Sequence, residues 1–468
     1  MSESFDALVV GGGVEGLVAV SLLAQAGLRA QMLERSAILF GHAGGATLNA
    51  LDPVMVKALK LTRHGLKFAT RDLSLTALRH GGANAVVGRD RHATAKSLAA
   101  LSPADALAYA GFRRELVALA RALRPCWWDG QPMADLLAGL KPRQRALFAR
   151  LSVTSASAHI AAAFESDALR AALAFTAADC GAAPPEAGSA LALLWAAAQE
   201  MSGLQGAVAV PQGGVVGLLR ALSEAAQKSG AEIRTGATVA RLTLANGAVT
   251  GVELATGETV SAPLVLSALP RRRTLLAMLP TGEIGFGAAR ALERPVESFG
   301  AATLVFTLSA AFDTGLPSGT RMVVAERLES YETALAAIRL GVLAKEPALE
   351  LVMAPPDAGV ARLLSVRAWP VASSYDRNAL VRTVTAMIER HASGFAKAVS
   401  NCDVLEPPDG EPFSVARLSA GAAARIETTV GGLLLCGIDA EPVHALSGRA
   451  ARQAAALAIA RHRKAGGK

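Results

Sequence analysis

The stretch that decides the fold is "LVVGGGVEGLVAVSLLAQAGLRAQMLERS", residues 8–36. An apolar strand ends in three glycines, and a helix rich in small residues follows. The pattern predicts a strand at 7–10, a helix at 14–27 and a second strand at 29–34. Together these elements form a βαβ unit of about 30 residues, which is the usual size of that motif.

Three glycines in this unit have the spacing of a dinucleotide fingerprint, Gly11-x-Gly13-x-x-Gly16. Gly11 permits the tight turn from strand to helix, and Gly13 lets the backbone approach a pyrophosphate. Gly16 allows the helix to pack closely on the strand, so that the helix N-terminus faces the phosphates. The alternative is a glycine turn in an α/β domain without a cofactor. The fingerprint fits NAD and FAD equally well.

An acidic residue ends the second strand, because Glu34 comes 18 residues after Gly16. A carboxylate at this place can accept hydrogen bonds from both ribose hydroxyls of the adenosine. We therefore include Glu34, with its neighbour Arg35, in the predicted cofactor site.

Two further segments are candidates for the same site. "FGHAGGATLN", residues 40–49, offers backbone N–H groups around Gly44 and Gly45, although an ordinary flexible loop would have the same composition. "GLLLCGIDAEPVHALSGRAARQAA", residues 432–455, predicts a strand ending at Gly437, then Asp439, then a helix that Ser447 can cap. The alternative here is a plain C-terminal strand and helix.

The remaining segments alternate in character along the chain. Residues 51–201 are mostly helical in pattern, and residues 208–267 predict a turn, a helix and short strands joined at Asn246-Gly247 and Thr256-Gly257. Later strands are predicted at 301–308, 349–354 and 363–370. Rossmann-like pieces thus occur at the start, middle and end, so we predict an α/β fold with a Rossmann-like cofactor domain interleaved with an α+β substrate domain. The predicted cofactor domain comprises 1–85, 205–285 and 415–468, and the predicted substrate domain comprises 86–204 and 286–414.

Composition narrows the classes of function. The chain has 468 residues, 52% of them hydrophobic, and a net charge of +8. The basic residues are scattered without interleaved aromatics, which argues against nucleic acid as a partner. The cysteines form no C-x-x-C pair, so neither a zinc site nor a redox dithiol is indicated. The acidic N-terminus shows no signal peptide, and the longest apolar stretch, 189–198, is shorter than the ~20 residues of a spanning helix. We expect a cytoplasmic protein, and peripheral contact with a membrane stays open.

Some single residues have two interpretations. His42 and His444 are either proton donors or ordinary loop histidines. Trp127, Trp128 and Trp195 either line a substrate cavity or belong to the core, as aromatic residues in helices usually do. The run Arg271 to Arg273 is either a surface cluster or an anion site, and we prefer the surface cluster.

The chain also resembles a known family. The N-terminal fingerprint, "VPQGGVVGLLRALSEAAQKSG" at 210–230 and "LLLCGIDA" at 433–440 are similar to the phytoene dehydrogenase-like branch of the FAD-dependent amine-oxidase/desaturase superfamily. Within that branch, "RHGLKFATRDLSLTAL" at 63–78 and "VLEPPDGEPF" at 404–413 resemble the group called pyridine nucleotide-disulfide oxidoreductase domain-containing proteins. The resemblance covers nearly the whole chain.

The resemblance implies FAD as the bound cofactor. It implies that the three fingerprint glycines hold the pyrophosphate and that Glu34 holds the adenosine ribose. Val239 would meet the adenine through its backbone, and Gly437 and Asp439 would lie by the pyrophosphate and ribityl chain. The implied reaction is hydride abstraction from an apolar, lipid-like small molecule, with oxygen or a quinone as the final acceptor.

Two segments differ from the family pattern near the expected flavin ring. Gly44 comes ten residues after Glu34, where the family has its Gly-Gly pair after about six, and the segment after the last strand is shortened to "AEPVHALSG". Two alternative functions therefore stay open. One is a non-redox isomerase that uses reduced FAD, and the other is a degenerate flavoprotein fold that acts as a scaffold or carrier.

Overall fold

The fold is taken from a computed structural model that describes residues 4–39, 45–81, 84–280, 282–293, 299–309, 315–317, 319–353, 362–405, 413–420, 425–443 and 447–466. The strands are β1 Ala7–Val10, β2 Ala30–Leu33, β3 Phe68–Thr70, β4 Ser74–Ala77, β5 Ala85–Val87, β6 Glu200–Met201, β7 Leu204–Gln205, β8 Val210–Pro211, β9 Glu232–Arg234, β10 Val239–Ala245, β11 Ala248–Leu254, β12 Thr259–Ser261, β13 Val265–Ser267, β14 Phe299–Leu308, β15 Thr320–Val324, β16 Ala348–Met353, β17 Arg362–Ala372, β18 Val399–Leu405 and β19 Leu433–Leu435. The α-helices are α1 Val14–Gln25, α2 Pro53–Ala58, α3 Arg91–Ala99, α4 Pro103–Asp129, α5 Met133–Ala138, α6 Pro142–Val153, α7 Ala156–Ala161, α8 Asp167–Asp179, α9 Ala190–Ala198, α10 Gly214–Lys228, α11 Phe286–Glu293, α12 Glu329–Arg339, α13 Arg377–Glu389, α14 Phe395–Ala398, α15 Val415–Ser419 and α16 Arg449–Gly466.

A five-stranded parallel sheet brings together the start, middle and end of the chain. Its strand order is β19-β13-β1-β2-β9, and every neighbouring pair is parallel. Val9 of β1 lies opposite Leu266 of β13 on one side and Met32 of β2 on the other. All four residues of β1 are buried, as expected for a central strand covered on both faces.

Helices α1, α10 and α16 cover one face of this sheet. Nine of the twelve residues of α1 are buried, because α1 packs on both α10 and α16 as well as on the strands. Small side chains such as Ala19 and Ala451 permit this close packing. The sequence predicted the βαβ unit and the closing helix correctly to within two residues at most ends.

A three-stranded antiparallel meander, β10-β11-β12, covers the other side of β1 and β13. Asn246 and Gly247 form its first turn with positive φ values of 51° and 73°, which is the geometry that the Asn-Gly pair predicts. The meander ends at β12, and the chain then enters β13 of the parallel sheet. The meander therefore ties the middle of the chain to the fingerprint strand.

A second, seven-stranded sheet has the order β18-β14-β17-β16-β15-β4-β5. Its pairs are antiparallel except that β15 and β4 are parallel. The expectation of a mostly helical segment at 51–201 was wrong for β3, β4 and β5. Strands β15 and β18 were also not predicted. The predicted boundary between domains at residue 85 falls at the start of β5, and the division into domains stays a prediction.

Helices α3 to α9 form a cluster against this sheet. The longest, α4, begins as predicted, since Ser102 Oγ accepts a hydrogen bond from the Asp105 amide at 3.2 Å and Pro103 is the first helical residue. Asp105 is buried and accepts hydrogen bonds from the amides of Glu165 and Ser166, which anchors the start of α8. Within the described part of the chain, no helix has the length and hydropathy needed to cross a membrane.

Candidate functional site

The fingerprint turn has the geometry that its glycines predict. Gly11 adopts φ +108°, a conformation that side chains other than glycine rarely take. A Cβ on Gly16 would lie 1.8 Å from the carbonyl oxygen of Gly11, so only glycine permits this contact between helix and strand. The turn thus fixes α1 directly behind the end of β1.

The N-terminus of α1 is open. Gly13 is the N-cap residue, no side chain caps the helix, and a Cβ on Gly13 would meet nothing within 4 Å. Free amide groups at a helix start carry partial positive charge and are suited to a phosphate. The space above Gly13 therefore fits a pyrophosphate.

Glu34 closes the site at the end of β2. Its carboxylate accepts hydrogen bonds from the Gly12 amide at 2.6 Å and the Ser36 amide at 2.8 Å. Each carboxylate oxygen retains acceptor capacity, because an ionised carboxylate has about four lone-pair sites. Glu34 thus lies against the fingerprint turn where a ribose hydroxyl can donate to it, while the adjacent Arg35 is exposed.

The segment before β10 lies beside Glu34. The Ala237 amide donates to the Glu34 carbonyl at 2.8 Å, and the Gly236 amide donates to the Ser36 carbonyl at 3.0 Å. Val239 follows two residues later, is buried, and pairs with Leu254. This placement agrees with an adenine beside Val239, although the role of its backbone stays a prediction.

The C-terminal candidates lie at the end of β19. Gly437 packs so closely that a Cβ would lie 2.6 Å from the Ala268 carbonyl oxygen. Asp439 is buried, and its Oδ2 accepts the Arg271 amide at 2.7 Å. Arg271 is itself half-buried and donates to the Arg425 carbonyl, whereas Arg272 is exposed. The predicted surface cluster is therefore wrong for Arg271, which joins the end of β13 to the end of β19.

Of the residues predicted to lie near the flavin ring, the structure describes Gly45. Gly45 has φ +130°, and its carbonyl oxygen accepts the Val215 amide at 3.1 Å, which places Gly45 at the start of α10. Gly44, His42 and His444 lie outside the described residues. Their predicted roles stay predictions.

Two buried glutamates meet at the start of α16, and the sequence interpretation missed them. Glu15 of α1 accepts a hydrogen bond from the amide of Gly448 at 3.0 Å. Glu441 accepts the Ala450 amide at 2.8 Å and the Ser447 hydroxyl. Glu15 Oε2 is buried without a hydrogen-bond partner among the described residues. Burial and the nearby Glu441 raise the pKa of Glu15 to about 8, so this carboxyl holds a proton at pH 7.

A buried arginine completes this group, which we call the α16 cap cluster (Glu15, Glu441, Arg449). Arg449 lies 3.5 Å from Glu441 Oε2, donates to Gln199 Oε1 at 3.3 Å, and stacks on Trp128 with its guanidinium 4.6 Å from the ring centroid. One indication of this cluster was present in the sequence: Glu15 is a charged residue in a helix whose other residues are mostly apolar or small.

Gln199, which contacts Arg449 of the α16 cap cluster, also lines a cavity of about 180 Å³. Apolar side chains from α4, α8 and α9 form its walls, among them Phe112, Leu173 and Trp195. Asn49, Gln199 and Val208 border it from the segments that lead to the parallel sheet. The cavity is therefore placed between the helical cluster and the part of the chain that carries the fingerprint.

The structure shows which of the three tryptophans belong to the core and which line the cavity. Trp127, Trp128 and Trp195 all belong to the buried core of the helical cluster, and Trp195 in addition lines the cavity. Cys126, Cys180, Cys402 and Cys436 are free. Over the described ranges, no group of histidine, cysteine or acidic residues could hold a metal ion.

An open helix start, an acid at the end of the next strand and a parallel sheet define a dinucleotide-binding protein with a mixed α/β fold. Residues 44–323, more than half of the chain, match the model of the family described as flavin containing amine oxidoreductase. The chain belongs to that family. It is an FAD-dependent oxidoreductase, and the predicted cofactor and enzyme class are confirmed.

Individual relatives agree with this assignment. The chain is 26% identical over 562 residues to mouse pyridine nucleotide-disulfide oxidoreductase domain-containing protein 2, covering 97% of this chain and 93% of the relative. An oxidoreductase from Methanosarcina mazei is similar in structure with a TM-score of 0.61 at 16% identity, covering 98% and 99% of the two chains. Cyclohexylamine oxidase from Brevibacterium oxydans has a TM-score of 0.58 at 14% identity, covering 99% and 100%. These structures support the fold.

The residues present fit the adenosine and pyrophosphate half of FAD. Gly13 leaves space above an uncapped helix start, and Glu34 offers acceptor oxygens beside it. The amides at the start of α16 are different, because Glu15 and Glu441 already accept hydrogen bonds from those of Gly448 and Ala450. The chain therefore carries its own acceptors at that second helix start.

We expect Glu34→Ala to weaken FAD retention about 10- to 100-fold, equivalent to one or two hydrogen bonds to a charged group. The change removes the ribose acceptor and also releases the Gly12 and Ser36 amides. The measurement is the dissociation constant of FAD from quenching of flavin fluorescence. Glu232→Ala, at an exposed glutamate on the neighbouring strand β9, is the control. Equal affinities for the two variants would contradict the ribose assignment.

Proposed function

We propose that the enzyme is a dehydrogenase of the desaturase type, which removes hydride from a carbon of a small molecule bound in the cavity beside Gln199. Bound FAD supplies the two-electron acceptor for such a reaction. The substrate loses a hydride and a proton in forming its new double bond, and oxygen or a quinone accepts the electrons in the end. The resemblance to the phytoene dehydrogenase-like branch is the basis for the desaturase type.

The observation that carries the proposal is the position of the cavity. Gln199 lines it and also accepts a hydrogen bond from Arg449 of the α16 cap cluster, while Asn49 lies four residues after Gly45. The cavity therefore borders the segments that the family resemblance places at the flavin end of the cofactor.

The side chains around the cavity position a substrate and exclude water; none of those described is an activated nucleophile. Leu173, Leu193 and Trp195 enclose the interior with apolar surface. Cys180 stays a thiol, because burial raises its pKa to about 12. This arrangement supports a reaction in which the protein contributes orientation and a dry environment.

The test is to purify the protein, record its visible spectrum, and follow flavin bleaching at about 450 nm under anaerobic conditions with a panel of candidate substrates. We expect a yellow protein whose flavin is reduced by substrate and reoxidised by oxygen or a soluble quinone. Conversion of a substrate that requires prior reduction of the flavin, without net oxidation, would instead identify the isomerase. A colourless protein that takes up no FAD on reconstitution would refute the proposal.

A further inference from the structure

The described side chains that line the cavity include two aspartates and three arginines. Asp72 pairs with Arg89 at 2.6 Å on its rim. Deeper inside, Asp179 pairs with Arg367 and accepts a hydrogen bond from Asn49 at 3.2 Å. Each aspartate that lines the cavity is thus already neutralised by an arginine.

Arg321 is the buried cation of the lining. Its Nε lies 3.1 Å from Glu350 Oε1, and its Nη1 lies 3.7 Å from Asp179 Oδ2. Burial raises the pKa of Glu350. Arg321 already has these two carboxylate partners and is therefore not available to an acidic ligand.

Arg113 is the cation that remains. It lines the cavity from α4 and is half-buried, and among the described residues no carboxylate lies within ion-pair distance of it. Its Nη1 donates to the Gly88 carbonyl oxygen at 3.0 Å, and the Tyr109 hydroxyl lies nearby. These contacts hold the guanidinium in place without neutralising it.

Tyr109 offers a second hydrogen-bond donor beside Arg113. It lies one helical turn before Arg113 and also lines the cavity. Loss of solvent raises the pKa of Tyr109 above its ordinary value of 10.0, so its hydroxyl stays protonated. A guanidinium beside a phenolic hydroxyl is a pairing that recognises a carboxylate.

The wall next to Arg113 is apolar. Phe112, Leu116 and Leu173 line the cavity together with the half-buried Arg113 and the buried Arg321. A ligand that fills this space needs an apolar body. An acidic group would meet Arg113, which among the described lining cations is the one without a carboxylate partner.

We propose that the cavity selects a small amphipathic acid, whose carboxylate binds Arg113 and Tyr109 and whose apolar body lies along Phe112, Leu116 and Leu173. The inference rests on the proposed function for the role of this cavity, and it replaces a purely apolar substrate with an acid. An amine of the same shape is disfavoured, because both aspartates of the lining are already paired.

The experiment measures binding to the FAD-loaded protein by isothermal titration calorimetry with three matched probes: 4-phenylbutanoate, 4-phenylbutan-1-ol and 4-phenylbutylamine. We expect the acid to bind at least tenfold more tightly than the alcohol or the amine. Arg113→Gln should remove this preference by weakening the acid about tenfold while leaving the alcohol unchanged, and Arg113→Lys should keep part of it.

Arg114→Gln is the matched control, because Arg114 is the next residue on α4, is exposed, and does not line the cavity. It should leave all three affinities unchanged. The proposal is overturned if the acid shows no binding at millimolar concentration, if the alcohol or amine binds as tightly, or if the Arg113 and Arg114 variants behave alike. Calorimetry reads binding and not flavin reduction, so a failed redox assay with intact acid selectivity would count against the proposed reaction alone.

Discussion

Replacing Gly16 by alanine should destabilise the protein by more than about 3 kcal/mol and abolish FAD binding. A single added Cβ would lie 1.8 Å from the Gly11 carbonyl oxygen, which is a backbone atom that cannot rotate away. Helix α1 would have to move off β1, and the buried contacts of α1 with α10 and α16 would be lost. Overpacking of this kind typically costs 1–3 kcal/mol in a side-chain core, and a backbone clash adds to that.

Urea unfolding followed by circular dichroism, with flavin absorbance of the purified variant, checks this result. Gly13→Ala is the informative comparison, because Gly13 has φ −74° and open space around it. That variant should keep its stability within about 1 kcal/mol and lose FAD affinity, since the new methyl group occupies space intended for the phosphate. A Gly16→Ala protein that folds and stays yellow would show that the close contact is not required.

The second large effect is stabilising. We expect Glu15→Gln to raise the free energy of unfolding by up to about 4 kcal/mol at pH 8 and above, and by little near pH 4.5. The reason is that the folded protein raises the pKa of Glu15 from 4.5 to about 8. The amide is neutral at every pH; its oxygen can accept the Gly448 amide, and its NH₂ group can donate to Glu441.

The sign of this pH dependence follows from the difference in proton binding between the folded and the unfolded state. Between pH 4.5 and 8 the folded state keeps a proton on Glu15 that the unfolded chain has lost, so raising the pH through this window costs the wild type stability. Above pH 8 the cost is constant. Urea titrations of the FAD-loaded proteins at pH 5, 7 and 8.5 should therefore show a wild-type decline that Glu15→Gln lacks. Glu283→Gln, at an exposed glutamate, should retain the decline. Parallel declines in all three proteins would refute the raised pKa of Glu15.

The cofactor half of the fold was predictable because its signals are local. The glycine spacing, the fully buried β1 and the acid at Glu34 occur within 28 residues, and each has a direct steric or hydrogen-bonding reason. The last strand and helix were found for the same reason. Local signals of this kind survive in one sequence without any knowledge of the tertiary fold.

The second sheet was predictable only in part. The strands expected at 301–308, 349–354 and 363–370 correspond to β14, β16 and β17, whereas its other strands and the cavity could not be predicted in this way. Strand β4 has four residues, and its parallel partner β15 starts 246 residues later. Strand β18 is an edge strand that pairs with β14 alone. The α16 cap cluster depends on a contact between Glu15 and Gly448 across 433 residues. Short strands and long-range charge contacts leave no periodic pattern in the sequence.

The strand order of the parallel sheet has a consequence for protein synthesis. Residue 9 pairs with residue 266, and residue 266 pairs with residue 434, so the sheet is assembled from parts that leave the ribosome far apart in time. Domains usually fold as units while they emerge. Here the fingerprint strand β1 pairs with the nearby β2, but its other neighbour β13 begins only at residue 265, and β19 begins only at residue 433. The five-stranded sheet behind the fingerprint can therefore be completed only after β19 has been made, long after the fingerprint itself.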